Sequence, residues 1–239
     1  MTLSFDKLAL NHQVLLALPF EEGIRLVTHD NAKPHHILTL TGTPPTWNSL
    51  PSGLPYISFD GAADYLQCPA ADSVDLDFTG DFSLAAWVNP NYTGSAMVIM
   101  CRNATDVCGW CMWLYNNPTH GPILSLRTNQ GAPGDHCECW GGNFPGGVWQ
   151  LAGYSRSQAG ASAICYKNGV ALVTHPDPAG MLDPVAGAKK LLIGVQDGEA
   201  SNFFKGGIAG GPCGPRAWDR ELSPSEWKEM FEQERHWFP

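Results

Sequence analysis

The chain has 239 residues, among them 26 Gly and 19 Pro, with 44% hydrophobic and only 15% charged residues and a formal net charge of -9. Apolar content of that size with charge well under the usual ~25% excludes a disordered or coiled-coil chain, and the abundance of turn formers points to one large β domain. The negative charge excludes the electrostatic footprint of nucleic-acid binding or of adhesion to an anionic membrane, and no apolar run reaches the ~18 residues of a membrane span.

Residues 1–13 read as an N-terminal arm without a secretion signal, because Asp6 precedes the short apolar run Val14 to Phe20, which ends in Glu21 and Glu22. A single domain then spans 14–239. Short apolar or alternating segments predict strands at Val14 to Leu18, Leu38 to Thr41, Tyr56 to Phe59, Tyr65 to Cys68, Phe82 to Val88, Ala96 to Arg102, Trp110 to Tyr115 and Ile123 to Arg127. Others follow at His136 to Trp140, Trp149 to Arg156, Ala161 to Lys167, Val170 to Thr174, Lys190 to Gly194 and Gly206 to Trp218. The sequons Asn91-Tyr92-Thr93 and Asn103-Ala104-Thr105 read as ordinary loop residues, and Asn168-Gly169 predicts a two-residue hairpin turn. One helix is predicted over 223–235, with Ser223 as N-cap, Pro224 at the first helical position and Glu226 completing a capping box. Trp227, Met230, Phe231 and Glu234 form its inward stripe, and Lys228 and Glu232 are expected to pair in solvent.

Several segments in order resemble a laminin-G-like jelly roll of the concanavalin A-like lectin and glucanase superfamily. They are Leu15 to Gly23, Ile57-Ser58-Phe59-Asp60-Gly61 with Asp64-Tyr65-Leu66, Gly80 to Val88, Trp149 to Ala152, Tyr166 to Gly169, Leu192-Ile193-Gly194, Phe204-Lys205-Gly206 and Arg216 to Ser223. The resemblance implies an all-β, two-sheet antiparallel jelly-roll sandwich with one short C-terminal helix. Independently, Phe82, Leu84, Ala86 and Val88 fall on one face of their strand while Ala85 and Trp87 make the other face apolar, as in a strand covered on both sides.

Hydrolases of the superfamily use a Glu-x-Asp-x-x-Glu strand motif, which this chain lacks; Asp75 and Asp77 are the nearest pair and read as turn formers. Cys108, Cys111, Cys137 and Cys139 form two close-spaced pairs, for which buried thiols, disulfides and, least favoured, a zinc site are the alternatives. The resemblance implies calcium as a cofactor to consider, with Asp60 and Asp64, or Asp197, Glu199 and Asn202, as ligand candidates. Glycan stacking would draw on Tyr92, Trp110, Trp113, Trp140 and Trp149, while alternation places Trp87, Trp149 and Trp218 in the core.

These features predict a non-catalytic structural or adhesive module. The ending Phe231 to Phe238 is similar to the tails of such modules among bacteriophage structural proteins, which implies a virion protein, on capsid or tail, with capsid or tail proteins and copies of itself as partners. The low charge also favours a homo-oligomer. The alternative is a lectin-like module that recognises a cell-surface glycan, with or without calcium; a polysaccharide-active enzyme would require two convergent carboxylates in a groove.

Overall fold

The computed structural model describes residues 9–92, 94, 96–105, 107–129, 131, 136–172, 175–177 and 183–239. The strands are β1 (Val14–Ala17), β2 (Val27–His29), β3 (Ile37–Thr41), β4 (Thr46–Ser49), β5 (Pro55–Asp60), β6 (Tyr65–Cys68), β7 (Phe82–Pro90), β8 (Met97–Ala104) and β9 (Cys108–Asn117). They continue as β10 (Gly121–Asn129), β11 (His136–Gly142), β12 (Gln150–Ser157), β13 (Ser162–Lys167), β14 (Val170–Ala171), β15 (His175–Asp177), β16 (Leu191–Ile193), β17 (Lys205–Ala209) and β18 (Arg216–Trp218), before helix α1 (Pro224–Glu234). The first sheet runs β14-β13-β12-β7-β17-β5-β4, with β18 also on β7 and β1 on β18; the second runs β15-β11-β10-β9-β8-β16-β6-β3-β2. All these pairings are antiparallel. The architecture is the expected jelly-roll sandwich.

Strand alternation divides the apolar residues between layers. Phe82, Leu84, Ala86 and Val88 of β7 share one buried cluster with Met112 and Leu114 of β9 and Leu124 and Leu126 of β10, so this cluster fills the space between the sheets. On the other face of β7, Ala85 and Trp87 join Trp218, Trp227 and Met230 in a second cluster beneath α1. The helix starts as predicted: the Ser223 hydroxyl accepts the Glu226 N–H, and the Glu226 carboxylate accepts the Ser223 N–H at 2.8 Å. In the β13–β14 hairpin Asn168 and Gly169 both take positive φ (51° and 75°), as a two-residue turn requires.

Several expectations are corrected. The single strand predicted over Gly206 to Trp218 is two, because Pro212 and the positive φ of Gly211 (57°) break the ladder with a 3-10 turn at Gly211–Cys213. Short β2, β4 and β15 carry no strand signal in the sequence, since three or four residues at or near a sheet edge show no apolar alternation. Residues 9–13 do not extend as an arm: Leu10 packs on the helix-side cluster, its carbonyl accepts the Trp218 indole N–H at 2.7 Å, and the His12 carbonyl accepts from Arg220 at 2.8 Å. Residues 1–8 lie outside the described residues. Asn103 is a buried strand residue of β8 rather than a loop residue, whereas Asn91 is an exposed loop residue. Glu232 pairs with Arg235 at 2.8 Å, not with Lys228.

Candidate functional site

Outward-facing residues of β9, β10 and β11 are built into rows by the register. Trp113, Ser125 and Trp140 lie opposite one another across the three strands, and Arg127 lies opposite Glu138 one step along. The two indoles are thus two strand spacings apart, about 10 Å, with the smallest side chain of the row between them. Ser125 is fully covered and donates its hydroxyl to Glu138 Oε1 at 2.5 Å, while Arg127 Nη2 reaches Glu138 Oε2 at 3.3 Å. The Arg127 guanidinium lies 4.7 Å from the Trp113 ring centre, and His120 packs on Trp140 with ring centres 4.6 Å apart. Trp113 Nε1 is buried without an acceptor among the described residues. Trp113, Tyr115, Arg127, Glu138 and Trp140 wall a shallow cleft of about 280 Å³ floored by Ile123.

The register therefore unites Trp113 and Trp140 and separates the other aromatic candidates from them. Trp110 is fully buried, donates its indole N–H to the Leu76 carbonyl at 2.8 Å and packs on Phe78 and Phe82, so it has no surface to offer a ligand. Tyr92 turns its hydroxyl to the Phe144 carbonyl at 2.7 Å, and burial pushes that phenol well above its ordinary range. Trp149 is half-buried on the opposite sheet, edge-on to Tyr56 at 5.5 Å. Tyr115, Arg127 and Glu138 complete the cleft beyond the sequence candidates; the two-residue period of a strand puts Tyr115 on the face of Trp113 and Glu138 on that of Trp140.

The cysteine candidates do not converge. Cys137 and Cys139 face the space between the sheets, where Cys139 Sγ lies 4.0 Å from Cys165 Sγ. Cys111 points to the other side of its sheet, opposite Cys101 across the ladder, and Cys108 packs beneath Gly187. All eight cysteines are buried, and none is joined to another by a disulfide in this structure. Among the described residues, no three His, Cys, Asp or Glu side chains converge on a metal-sized space.

The calcium candidates are engaged with partners within the protein. Asp60 Oδ1 accepts the Ala62 and Ala63 N–H groups at 2.7 and 3.2 Å, and both Asp64 oxygens lie within 3.0 Å of the Asp60 N–H. Burial opposes the Asp60 carboxylate, yet these amides hold it below the ordinary range; burial and the adjacent Asp60 push Asp64 up to about 7. Glu199 is held by Lys190 at 2.5 Å and by the Tyr65 hydroxyl at 2.6 Å, and Asn202 donates to Gln196. Asp197 lies in a turn, beside the buried Cys101 thiol. Asp75 and Asp77 also diverge, one to His36 at 2.9 Å and the other to Arg102 at 2.7 Å.

A family model described as the concanavalin A-like lectin/glucanases superfamily matches residues 60–226. No curated protein matches the chain. Among solved structures, the botulinum neurotoxin serotype D/C VPI 5993 binding domain is similar with a TM-score of 0.69 and 12% identity, covering 94% of this chain and 53% of that one. The binding domain of botulinum neurotoxin DC in complex with SialylT gives 0.67 and 12%, covering 94% and 52%. Botulinum neurotoxin type C, whose cell entry depends on interaction with two ganglioside molecules, gives 0.66 and 14%, covering 92% and 51%. The chain spans about half the length of these structures, and at such identity the likeness concerns the fold. With the family match covering most of a jelly-roll sandwich, the chain belongs to the concanavalin A-like lectin/glucanases superfamily.

Proposed function

We propose that the chain is a carbohydrate-binding module that seats a saccharide in the cleft on the outer face of β9, β10 and β11. The observation that carries this reading is the placement of Trp113 and Trp140 in one row on either side of Ser125, with the Arg127–Glu138 pair in the adjoining row. Indole surface matches the apolar C–H face of a sugar ring, and an oriented guanidinium and carboxylate offer donors and acceptors to its hydroxyls. The relatives crystallised with SialylT or linked to gangliosides support the reading at the level of the fold. Binding rather than hydrolysis is favoured because Glu138 is the one carboxylate among the described residues that line the cleft, where glycoside hydrolysis needs a pair. A glycan array probed with the full chain and with Trp113→Ala and Trp140→Ala tests it. Retention of a defined glycan set by the parent and its loss in both variants is the expected result; a blank array, or an array indifferent to both variants, overturns it.

A structural role in an assembly is the second reading, and the virion setting implied by the chain's C-terminal resemblance belongs to it. The observation that favours it is exposed apolar surface at the β2–β3 edge, where Ile24 is 92%, Leu26 59% and Ile37 51% exposed. Sedimentation of the purified chain tests it: a stable oligomer that Ile24→Glu with Leu26→Glu dissociates supports this reading, and a monomer at all concentrations removes it. No described helix is long and apolar enough to cross a membrane.

A further inference from the structure

A second concavity lies on the outer face of the other sheet. There the register sets Gly207 of β17 directly between Ser58 of β5 and Asn89 of β7, so a missing side chain leaves a trough about 10 Å wide between the flanking strands. The trough encloses about 610 Å³ and is completed by Tyr56, Asn91, Gly146, Gly147 and Trp149. Its shape depends on the glycines of β17. A Cβ on Gly207 would come within 2.7 Å of the Trp149 ring, and Gly206, at φ +126°, would drive one to 2.1 Å from the Asn89 carbonyl oxygen.

Two further features bear on the occupant. Side chains of Tyr56, Ser58, Asn89 and Asn91 make no hydrogen bond within the described residues, so four polar groups border one trough with their capacity unused. None of the described residues that line it carries a charge, and the Tyr56–Trp149 edge-to-face pair supplies an apolar wall.

We propose that this trough is a binding site for a neutral saccharide, separate from the β9–β11 cleft. Neutral hydroxyl and amide groups suit sugar hydroxyls, the aromatic wall suits the C–H face of a pyranose, and the absence of charge disfavours anionic sugars, phosphates and acidic peptides.

The test titrates the full chain calorimetrically with maltotriose, cellotriose, mannotriose and triacetylchitotriose. One or more should bind with an affinity unchanged within twofold between 0.05 and 1 M NaCl. Asn89→Ala with Asn91→Ala should weaken that binding about tenfold or more, since each loses a hydrogen bond to the sugar. Trp113→Ala should leave it within twofold. Both asparagine side chains making no hydrogen bond among the described residues, the double variant should melt with the parent, and its melting curve checks that it folds. No binding by any of the four sugars, or equal binding by the double variant, overturns the proposal. Binding lost in Trp113→Ala but kept in the double variant also overturns it, while leaving the cleft reading intact.

Discussion

Arg216 and Glu234 hold each other through two N–H···O bonds of 2.7 and 2.9 Å, with their side chains only 7% and 8% exposed. Glu234 also accepts the Trp87 indole N–H at 2.7 Å, which fastens the end of α1 to both β18 and β7. Removing one partner strands the other as a buried charge, so Glu234→Ala should cost on the order of 3–5 kcal/mol in urea unfolding. Replacing both by apolar residues, Arg216→Met with Glu234→Leu, should cost much less. A double variant as unstable as Glu234→Ala would refute the stranded-charge account.

This pair also marks the limit of what the sequence discloses. The α1 stripe was legible because Ser223, Pro224 and Glu226 signal a helix start and Trp227, Met230 and Phe231 recur at helical spacing. That pattern places Glu234 inward but cannot say that Arg216, eighteen residues earlier, waits there. The cleft behaves likewise. Trp113 and Trp140 are recognisable as platforms, yet only the ladder register brings them to one row, and the same aromatic signal at Trp110 marks a core residue. Register depends on long-range pairing, which local periodicity does not encode.

His36 should make stability fall at alkaline pH. Its fully buried ring bridges Asp30 at 2.7 Å and Asp75 at 2.9 Å; burial alone would lower its pKa, but the two carboxylates prevail and raise it to about 9. A folded pKa above the unfolded value of ~6.5 means the stabilisation is full below pH 6.5 and is lost as pH rises through 9. The stability difference between parent and His36→Gln should shrink by on the order of 3 kcal/mol from pH 6 to pH 10 in urea titrations. A pH-independent difference would contradict a charged His36.

Asp64 adds to the same trend from the opposite chemistry. With its carboxyl pushed up to about 7 by burial and by Asp60, it favours the folded state most at acid pH, and this contribution declines as pH rises from ~4 to 7. Asp64→Asn keeps an acceptor for the Asp60 N–H and discards the charge. It should melt above the parent at pH 8 and lose that advantage at pH 4; a lower melting temperature at both would show that the charge is needed.

The thiols should be silent in the native state. All eight cysteines are buried, and burial pushes Cys68 up to about 11. At pH 8 a thiol-specific disulfide reagent should label none within minutes, then all eight in denaturant. Fewer than eight in denaturant would reveal disulfides.

Glu138→Gln separates binding from stability in the β9–β11 cleft. It removes the ion pair with Arg127 while keeping the side chain's shape. Glycan affinity should fall about tenfold while unfolding free energy changes by no more than ~1 kcal/mol, measured by titration and urea melts on the same preparation. Unchanged affinity would remove Glu138 from the site.

The pairing of β1 with β18 sets how the domain bears load. Val14 lies opposite Trp218 and Ala17 opposite Arg216, so the chain enters and leaves this ladder at the same end. Tension applied through both ends would peel α1 away and then part the ladder rung by rung, an unzipping geometry that yields at low force. Under pull the sandwich therefore opens from this clasp, while β9, β10 and β11, with longer ladders far from either terminus, keep the cleft intact until last.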